Sequence, residues 1–376
     1  MEKLLIVGVN TRPLAHSAYQ LGYEIYSTSY FCTMDFNGWH HKNCILKQKP
    51  YNSCGKFEES FDPPLLMELS SPYIDEVDHI ISYTGAVPEK FPPSKIIGNK
   101  KVENVENKYK LYQKLKNKFK FPATYHLSEI AEAQEIAAQF PEKKFIKKPV
   151  QGSGGYGIEK LKNNNFESCP ESEFLLQEFI SGENVSTSVL STGNESQAIL
   201  SSKQLYADEN PALPDFIYGG NIAPYPGEDS VFKKVAQAVV DELNLTGSNG
   251  VDMVIDKDDI YLIEVNPRLH GTFECAEAVL GINMMDAHIR ACEGELLSLP
   301  SPKKYAIKKI LFAKKRSLVG NLRYEGVFDL PLENTIIEPG QPVVTLIFSS
   351  ENLFNCLEKI DRTASHVESK LKEFKY

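Results

Sequence analysis

Two short segments carry the side chains best suited to act together. Residues 260–268 read Ile-Tyr-Leu-Ile-Glu-Val-Asn-Pro-Arg, and residues 250–255 read Gly-Val-Asp-Met-Val-Ile. Each has the wording of an apolar strand, and Asp256-Lys257-Asp258-Asp259 between them is turn chemistry, so the two predict a hairpin. Side chains at i and i+2 of a strand share a face, which sets Glu264 beside Asn266. A turn centred on Asp258 brings Asp252 opposite Glu264. Two facing carboxylates plus an amide oxygen suit a hard divalent cation such as Mg²⁺, and Arg268 just beyond them suits the anion such a cation bridges. The plain alternative is an exposed hairpin end with ordinary acidic residues.

An element upstream weighs against that alternative. Residues 143–149 (Lys-Lys-Phe-Ile-Lys-Lys-Pro) lead into residues 150–158 (Val-Gln-Gly-Ser-Gly-Gly-Tyr-Gly-Ile), a basic strand followed by a glycine-dense loop. Glycine tolerates positive φ and close backbone approach, so successive N–H groups there can wrap a phosphate while lysine supplies countercharge. Neither Gly-x-Gly-x-x-Gly nor a P-loop is present in this loop, and a glycine run standing alone is more often a flexible turn. Between the two elements, residues 174–184 (Phe-Leu-Leu-Gln-Glu-Phe-Ile-Ser-Gly-Glu-Asn) run from an apolar strand into a turn. Such a strand end can offer main-chain groups to an adenine edge, with Glu183 or Asn184 reaching ribose hydroxyls; its bland reading is a plain strand end.

Lysines before a glycine loop, a Gln-Glu-Phe-Ile strand end, then the Asp and Glu-x-Asn hairpin resemble, in that order, the ATP-grasp superfamily. Within it the chain is similar to archaeal predicted ATP-dependent carboligases related to biotin carboxylase. The resemblance spans residues 108–268 most closely. It implies that Lys148 holds the α- and β-phosphates of ATP, that Lys108 is a second nucleotide lysine, and that Ser153, Gly154 and Gly155 cover the terminal phosphates. It places adenine at Gln177, Glu178 and Ile180, ribose at Glu183 or Asn184, and the metal, Mg²⁺ or in its place Mn²⁺, on Asp252, Glu264 and Asn266. Arg268 and Lys148 become the catalytic cations. The implied reaction is ADP-forming ligation of a small carboxylate to an amine, or to a thiol, through an acyl phosphate. A biotin-carboxylase-like, bicarbonate-dependent carboxylase and a nucleotide-binding protein without turnover are the alternatives. Substrate candidates are Asn10, Arg12, Lys203 beside Gln204, Asn221 and His270.

The elements that must position these residues follow from the punctuation. Residues 4–9 and 23–27 read as strands around a helix at 14–21, and 78–82 as a later strand, which is βαβ wording for an open parallel sheet. Asn10, Thr11 and Arg12 fall at that sheet's carboxyl edge, where ligands collect; helix capping by Asn10 or Thr11 and a solvated Arg12 explain them equally well. Helices are expected at 107–118 and 128–139, strands within 189–204, a long loop at 207–226, and one helical stretch over 272–289. Strands at 305–313 and 343–348, a hairpin turn at 338–342 and a final helix from 350 or 352 to 374, broken near Thr363, complete the chain. The fold class is therefore α/β, an α+β grasp. Its expected divisions are a Rossmann-like domain at 1–98, a grasp at 99–296 whose lid subdomain spans about 118–182, and a strand-rich unit at 297–376 packed on the grasp.

Composition narrows the classes further. The 376 residues, 42% of them hydrophobic, can fill two or three cores. Lys and Arg total 41 against 50 Asp and Glu, a net charge of −9, which disfavours a general nucleic-acid surface. No apolar run reaches the roughly 18 residues of a membrane span, and the apolar start is too short for a signal peptide. Seven cysteines without a Cys-x-x-Cys pair fit reduced thiols in the cytoplasm. Cys32, His40, His41, Cys44 and Cys54 lie close in sequence but match no standard zinc spacing, so buried thiols and loop histidines are the expectation over a metal. Small-molecule acid and amine substrates are the expected partners, with no nucleic acid or membrane and with a homodimer as an allowed assembly.

Overall fold

The first strand, Lys3–Gly8, buries five of its six residues because both faces of a parallel sheet are covered by helices. The computed structural model describes residues 1–36, 41–161, 173–207 and 210–375. Lys3–Gly8 pairs in parallel with Glu24–Ser29 and His79–Ser82, and Glu24–Ser29 carries His41–Cys44 on its other edge. Helix Arg12–Gln20 makes the first crossover, with Pro13 in its first turn where the missing N–H costs no bond. This is the expected open parallel sheet, and Asn10 follows directly at its carboxyl edge.

The grasp is built from two antiparallel sheets. The smaller has four strands in the order Thr124–Leu127, Phe174–Glu178, Phe145–Pro149, Glu159–Lys160, with helix Ile130–Gln139 on it through Ala133 and Ala137. The larger has eight, running from Asp259–Asn266 through Thr246–Asp256, Glu183–Thr192, Ser196–Tyr206 and Tyr218–Ala223 to Tyr305–Phe312, Pro342–Ser350 and Val327–Phe328. Helix Ser230–Leu243 covers one face of it with Phe232, Ala236, Val239, Val240 and Leu243, spaced for a single apolar stripe.

Four expectations change. Residues 207–226 are not one loop, because Tyr218–Ala223 pairs with Ser196–Tyr206 and with Tyr305–Phe312. Gly220 makes that possible: a Cβ there would stand 1.9 Å from the Lys308 carbonyl oxygen, and its φ is +135°. The stretch 272–289 is two helices, Phe273–Leu280 and Met284–Cys292, divided by Gly281 in the left-handed conformation and restarted by Asn283, whose side chain accepts from Asp286 N. The final helix, Leu353–Ser369, runs unbroken through Thr363 and is followed by the strand Leu371–Glu373. The turn at 338–342 opens no hairpin, since Ile336–Ile337 pairs with Ser317–Val319 and Pro342–Ser350 pairs with Tyr305–Phe312.

Glu277 links the parallel-sheet domain to the two helices that follow strand Asp259–Asn266. Its carboxyl accepts from Ser17 Oγ at 2.8 and 2.9 Å and from Met284 N at 2.9 Å, and burial pushes its pKa up to about 7. A carboxyl whose folded pKa is raised stabilises fully below its unfolded value near 4.5 and loses that contribution as pH rises through about 7. Glu277→Gln should therefore match the parent in thermal unfolding at pH 5 and exceed it at pH 8, with the pH dependence flattened between those values.

Candidate functional site

The predicted hairpin forms, but with a different turn. Lys257 and Asp258 make a two-residue connection, Lys257 at φ +55°, and Asp256 pairs with Asp259. That register continues to Met253 opposite Leu262, then shifts by one residue, so that Asp252 faces Glu264 and Gly250 faces Asn266. Ile263 is the extra residue of a β-bulge. Asn266 Nδ2 donates to Asp252 Oδ2 at 3.1 Å, and Asn266 Oδ1 accepts from Arg268 at 3.0 Å.

Cations surround this acidic face. Lys108, on helix Lys108–Leu115, lies 3.2 Å from Glu264 and donates to the Gly152 carbonyl at 2.7 Å, tying the hairpin to the glycine loop. Asn107 starts that helix by accepting from Tyr109 N and Lys110 N. Arg268 pairs with Glu106 and lies over the same end of the cleft. Lys148 is 2% exposed, and no hydrogen bond or ion pair to its ammonium forms among the described residues. Burial and then the neighbouring Lys108 charge hold its pKa down to about 7. Burial and then the Glu264 charge raise Asp252, while Lys108 and Lys148 outweigh burial and lower Glu264.

These groups line one end of a cavity of about 870 Å³ bounded by the smaller sheet, the larger sheet and the carboxyl edge of the parallel sheet. Of the residues singled out from sequence, Lys108, Lys148, Ser153, Gly154, Gly155, Gln177, Glu178, Ile180, Asn184, Asp252, Glu264, Asn266, Arg268, His270 and Asn10 all line it. The glycine loop lies against the opposite wall: Tyr218 N donates to the Gly154 carbonyl at 3.1 Å, and a Cβ on Gly155 would stand 1.9 Å from the Phe216 carbonyl oxygen. The Gln177 amide nitrogen donates to Thr124 Oγ1 at 2.8 Å, which fixes the side chain against the neighbouring strand. His270 is held by Ser188 and Thr272 and kept neutral by burial and by the Arg268 and Lys308 charges, with a pKa near 3.

Four candidates fall elsewhere. Glu183 pairs with Lys203 and accepts from Tyr225, so neither Glu183 nor Lys203 lines the cavity; of the two ribose candidates it is Asn184 that does. Strand alternation explains Lys203, since Gln204 and Tyr206 take the cavity face of the same strand. Asn221 is fully buried and accepts from the Tyr218 hydroxyl. Arg12 is neither solvated nor on the cavity wall: it is 4% exposed and binds Asp329 at 2.7 Å, Glu274 at 2.9 Å and Asp35 at 3.7 Å. Among the described residues no group of three or more His, Cys, Asp or Glu gathers as a metal site; His40 lies outside them, and Cys32 and Cys44 are free thiols that share a hydrogen bond. Sequence reading passed over Ser186, which faces Asp252 across the sheet, and Lys308 and Asp329, whose strand and loop reach the cavity only in three dimensions.

Comparison with known proteins bears on the family and the fold. The ATP-grasp domain family matches residues 105–272. An uncharacterised protein of Methanocaldococcus jannaschii is 31% identical over 381 residues, covering 98% of this chain and 93% of its own. The tyramine–L-glutamate ligase of the same organism is 32% identical over 166 residues, 44% of either chain. A carboxyaminoimidazole ribonucleotide synthase from Aspergillus clavatus, solved with ATP, shares the fold with a TM-score of 0.70 at 14% identity, over 98% of this chain and 99% of that one.

A lysine with no partner among the described residues and a pKa near 7 gives this end of the cavity a proton signature. A polyphosphate beside Lys148 favours its charged form, so binding ATP in the absence of metal should take up close to one proton at pH 8 and almost none at pH 6. Calorimetry in buffers of different ionisation heat reads the uptake, and Lys148→Met should remove it.

Proposed function

The chain belongs to the ATP-grasp family, and from that premise we propose that it is an ADP-forming ligase joining a small carboxylate to an amine. The observation that carries this reading is the meeting of Lys108, Lys148 and Arg268 with the Asp252–Glu264–Asn266 face at one end of a cavity that has room for a second molecule. A relative named for joining tyramine to L-glutamate favours carbon–nitrogen chemistry over a thiol or bicarbonate acceptor.

The donor set fits Mg²⁺, and Mn²⁺ takes the same oxygens: two carboxylates stand in register in a desolvated cleft, and their mutual repulsion raises Asp252, a strain that a divalent cation relieves. Bound there, the ion would neutralise phosphate charge. Lys148 and Lys108 hold the phosphates, with Lys148 gaining the anion it lacks. Arg268, oriented by Glu106, faces the transferring group. The substrate carboxylate attacks the γ-phosphorus, and ADP leaves with the bond pair. The amine nitrogen then forms a bond to the acyl carbon, the C–O bond to phosphate breaks, and phosphate departs with the electron pair and the amine proton. The glycine loop resting on Phe216 and Tyr218 keeps water from the acyl phosphate. Among the described residues no helix is long and apolar enough to cross a membrane.

Glu264→Gln keeps the volume and removes a ligand charge, so metal-dependent ADP formation should fall by roughly 100-fold or more while the melting curve stays cooperative. An unchanged metal requirement at full activity would contradict the assignment. Incubation with ATP, Mg²⁺ and carboxylate but no amine should yield an acyl hydroxamate when hydroxylamine is added, together with ADP. AMP with pyrophosphate would point to adenylation, and dependence on bicarbonate would move the chain to the carboxylases.

A further inference from the structure

Tyr83 follows strand His79–Ser82 directly, at the carboxyl edge of the parallel sheet, and lines the cavity. Its N–H donates to the Val7 carbonyl at 2.8 Å, and a Cβ on Gly8 would stand 2.8 Å from its own Cβ, so the residue is held tightly against the first strand. Lys308, Arg268, His270 and Tyr218 line the cavity with it. These groups are neighbours: the Lys308 and Arg268 charges act on both Tyr83 and His270, and those of Lys308 and Asp252 act on Tyr218. Most of their polar atoms are already committed. His270 is held by Ser188 and Thr272, the Tyr218 hydroxyl donates to Asn221 at 2.9 Å, and Arg268 binds Glu106 and Asn266. Lys308 donates to Glu274 at 2.7 Å and to the Gly271 carbonyl at 3.2 Å, which leaves one of its three protons. The Tyr83 hydroxyl is the exception: the residue is 7% exposed, yet among the described residues no hydrogen bond to that hydroxyl forms. A buried phenol ordinarily has a partner.

Charge decides what that partner is. Four charged groups act on the Tyr83 hydroxyl, and Lys308 acts more strongly than Glu274, and Arg268 more strongly than Asp329, so the cations prevail there. Burial holds the pKa of the phenol up, which keeps its proton on. Burial opposes the Lys308 charge, and Glu274 leads the groups that outweigh it, so the ammonium stays protonated. A neutral O–H and an ammonium proton in a net positive field select an anionic oxygen and repel an amine cation.

We propose that Tyr83 contacts the donor acid: its hydroxyl and the remaining Lys308 proton hold one carboxylate oxygen and leave the other free to attack the γ-phosphorus beside Arg268. The proposal rests on the ligase reading given above and names the residues that seat its acid. After the transfer the held oxygen is the carbonyl oxygen of the acyl phosphate. When the amine adds to that carbon, charge gathers on the same oxygen, so the two donors serve both steps.

Calorimetric titration of the MgADP-loaded full chain with acetate tests it without knowledge of the acid. Acetate supplies the carboxylate alone; nitromethane has its shape without its charge, and methylammonium has the opposite charge. Acetate should bind saturably, and each of the others about tenfold more weakly or worse. Tyr83→Phe should weaken acetate about tenfold while MgADP affinity and the melting temperature of the unliganded chain stay unchanged, because the lost oxygen has no partner among the described residues. No saturable acetate binding, equal binding of nitromethane or methylammonium, or full acetate affinity in Tyr83→Phe overturns the contact. A lower melting temperature in unliganded Tyr83→Phe overturns it as well, since the hydroxyl would then serve the fold. Failure of the ligase reading looks different: no acid and amine would then yield ADP, while the acetate ranking and its loss in Tyr83→Phe stay as stated.

Discussion

A guanidinium shut away from water must be matched by carboxylates, and Arg12 obliges three distant parts of this chain to converge. Burial opposes its charge, but Asp329, Glu274 and Asp35 outweigh burial and hold it firmly protonated. Asp35 lies on the parallel-sheet domain, Glu274 stands in the first turn of the helix that follows the Asp252–Glu264 hairpin, and Asp329 follows the short edge strand Val327–Phe328. Lys308 closes the far side of Glu274, and Asn10 that of Asp329. Desolvating so many charges contributes little net stability, and replacement by apolar groups is often neutral. What the network does fix is geometry, since removing one partner strands the rest; the carboxyl edge of the parallel sheet is thereby held against the mouth of the grasp.

The Lys108–Lys148–Arg268 end of the cavity follows the opposite rule, with cations placed close together. Lys108 is balanced by Glu264 and Arg268 by Glu106, so two of the three positive groups have internal partners. Lys148 has none among the described residues, and the resulting strain appears as its depressed pKa. A site arranged this way gains most from a ligand at the one position left uncompensated. The lysine at 148 is set apart from its neighbour at 147 by alternation alone, since adjacent strand residues face opposite sides.

Sequence was informative where the physics is local. The apolar alternation of residues 250–266, the turn residues between the strands, the glycine-dense loop and the βαβ start all depend on neighbours a few positions apart, and the structure contains each of them. Sequence was silent where a side chain's fate depends on a strand far away. Lys203 and Glu183 satisfy each other across two paired strands, which removes both from the cavity, and Arg12 finds partners at positions 274 and 329. The strand Tyr218–Ala223 was hidden because its two glycines read as loop, whereas they are required by the close approach of Tyr305–Phe312 and of the Tyr206–Ala207 backbone.

The β-bulge at Ile263 shows how little separates a ligand face from an ordinary core strand. A two-residue turn at Lys257–Asp258, extended without a register shift, would set Asp252 opposite Ile263 and Glu264 opposite Val251, on the face that packs the core with Leu262 and Met253. A carboxylate there would be buried among apolar side chains without compensation. The extra residue lets Ile263 and Glu264, consecutive in sequence, both line the cavity. An apolar surface beside Met253 and Val254 then abuts a carboxylate beside Asp252, on a single strand. Nucleotide recognition needs that juxtaposition, a dry wall for a base next to ligands for a charged tail, and strict alternation along one strand cannot supply it. The bulge therefore does more than kink the edge of the sheet: it converts a strand patterned for one buried face into one that brings an apolar and an acidic side chain to the same cavity.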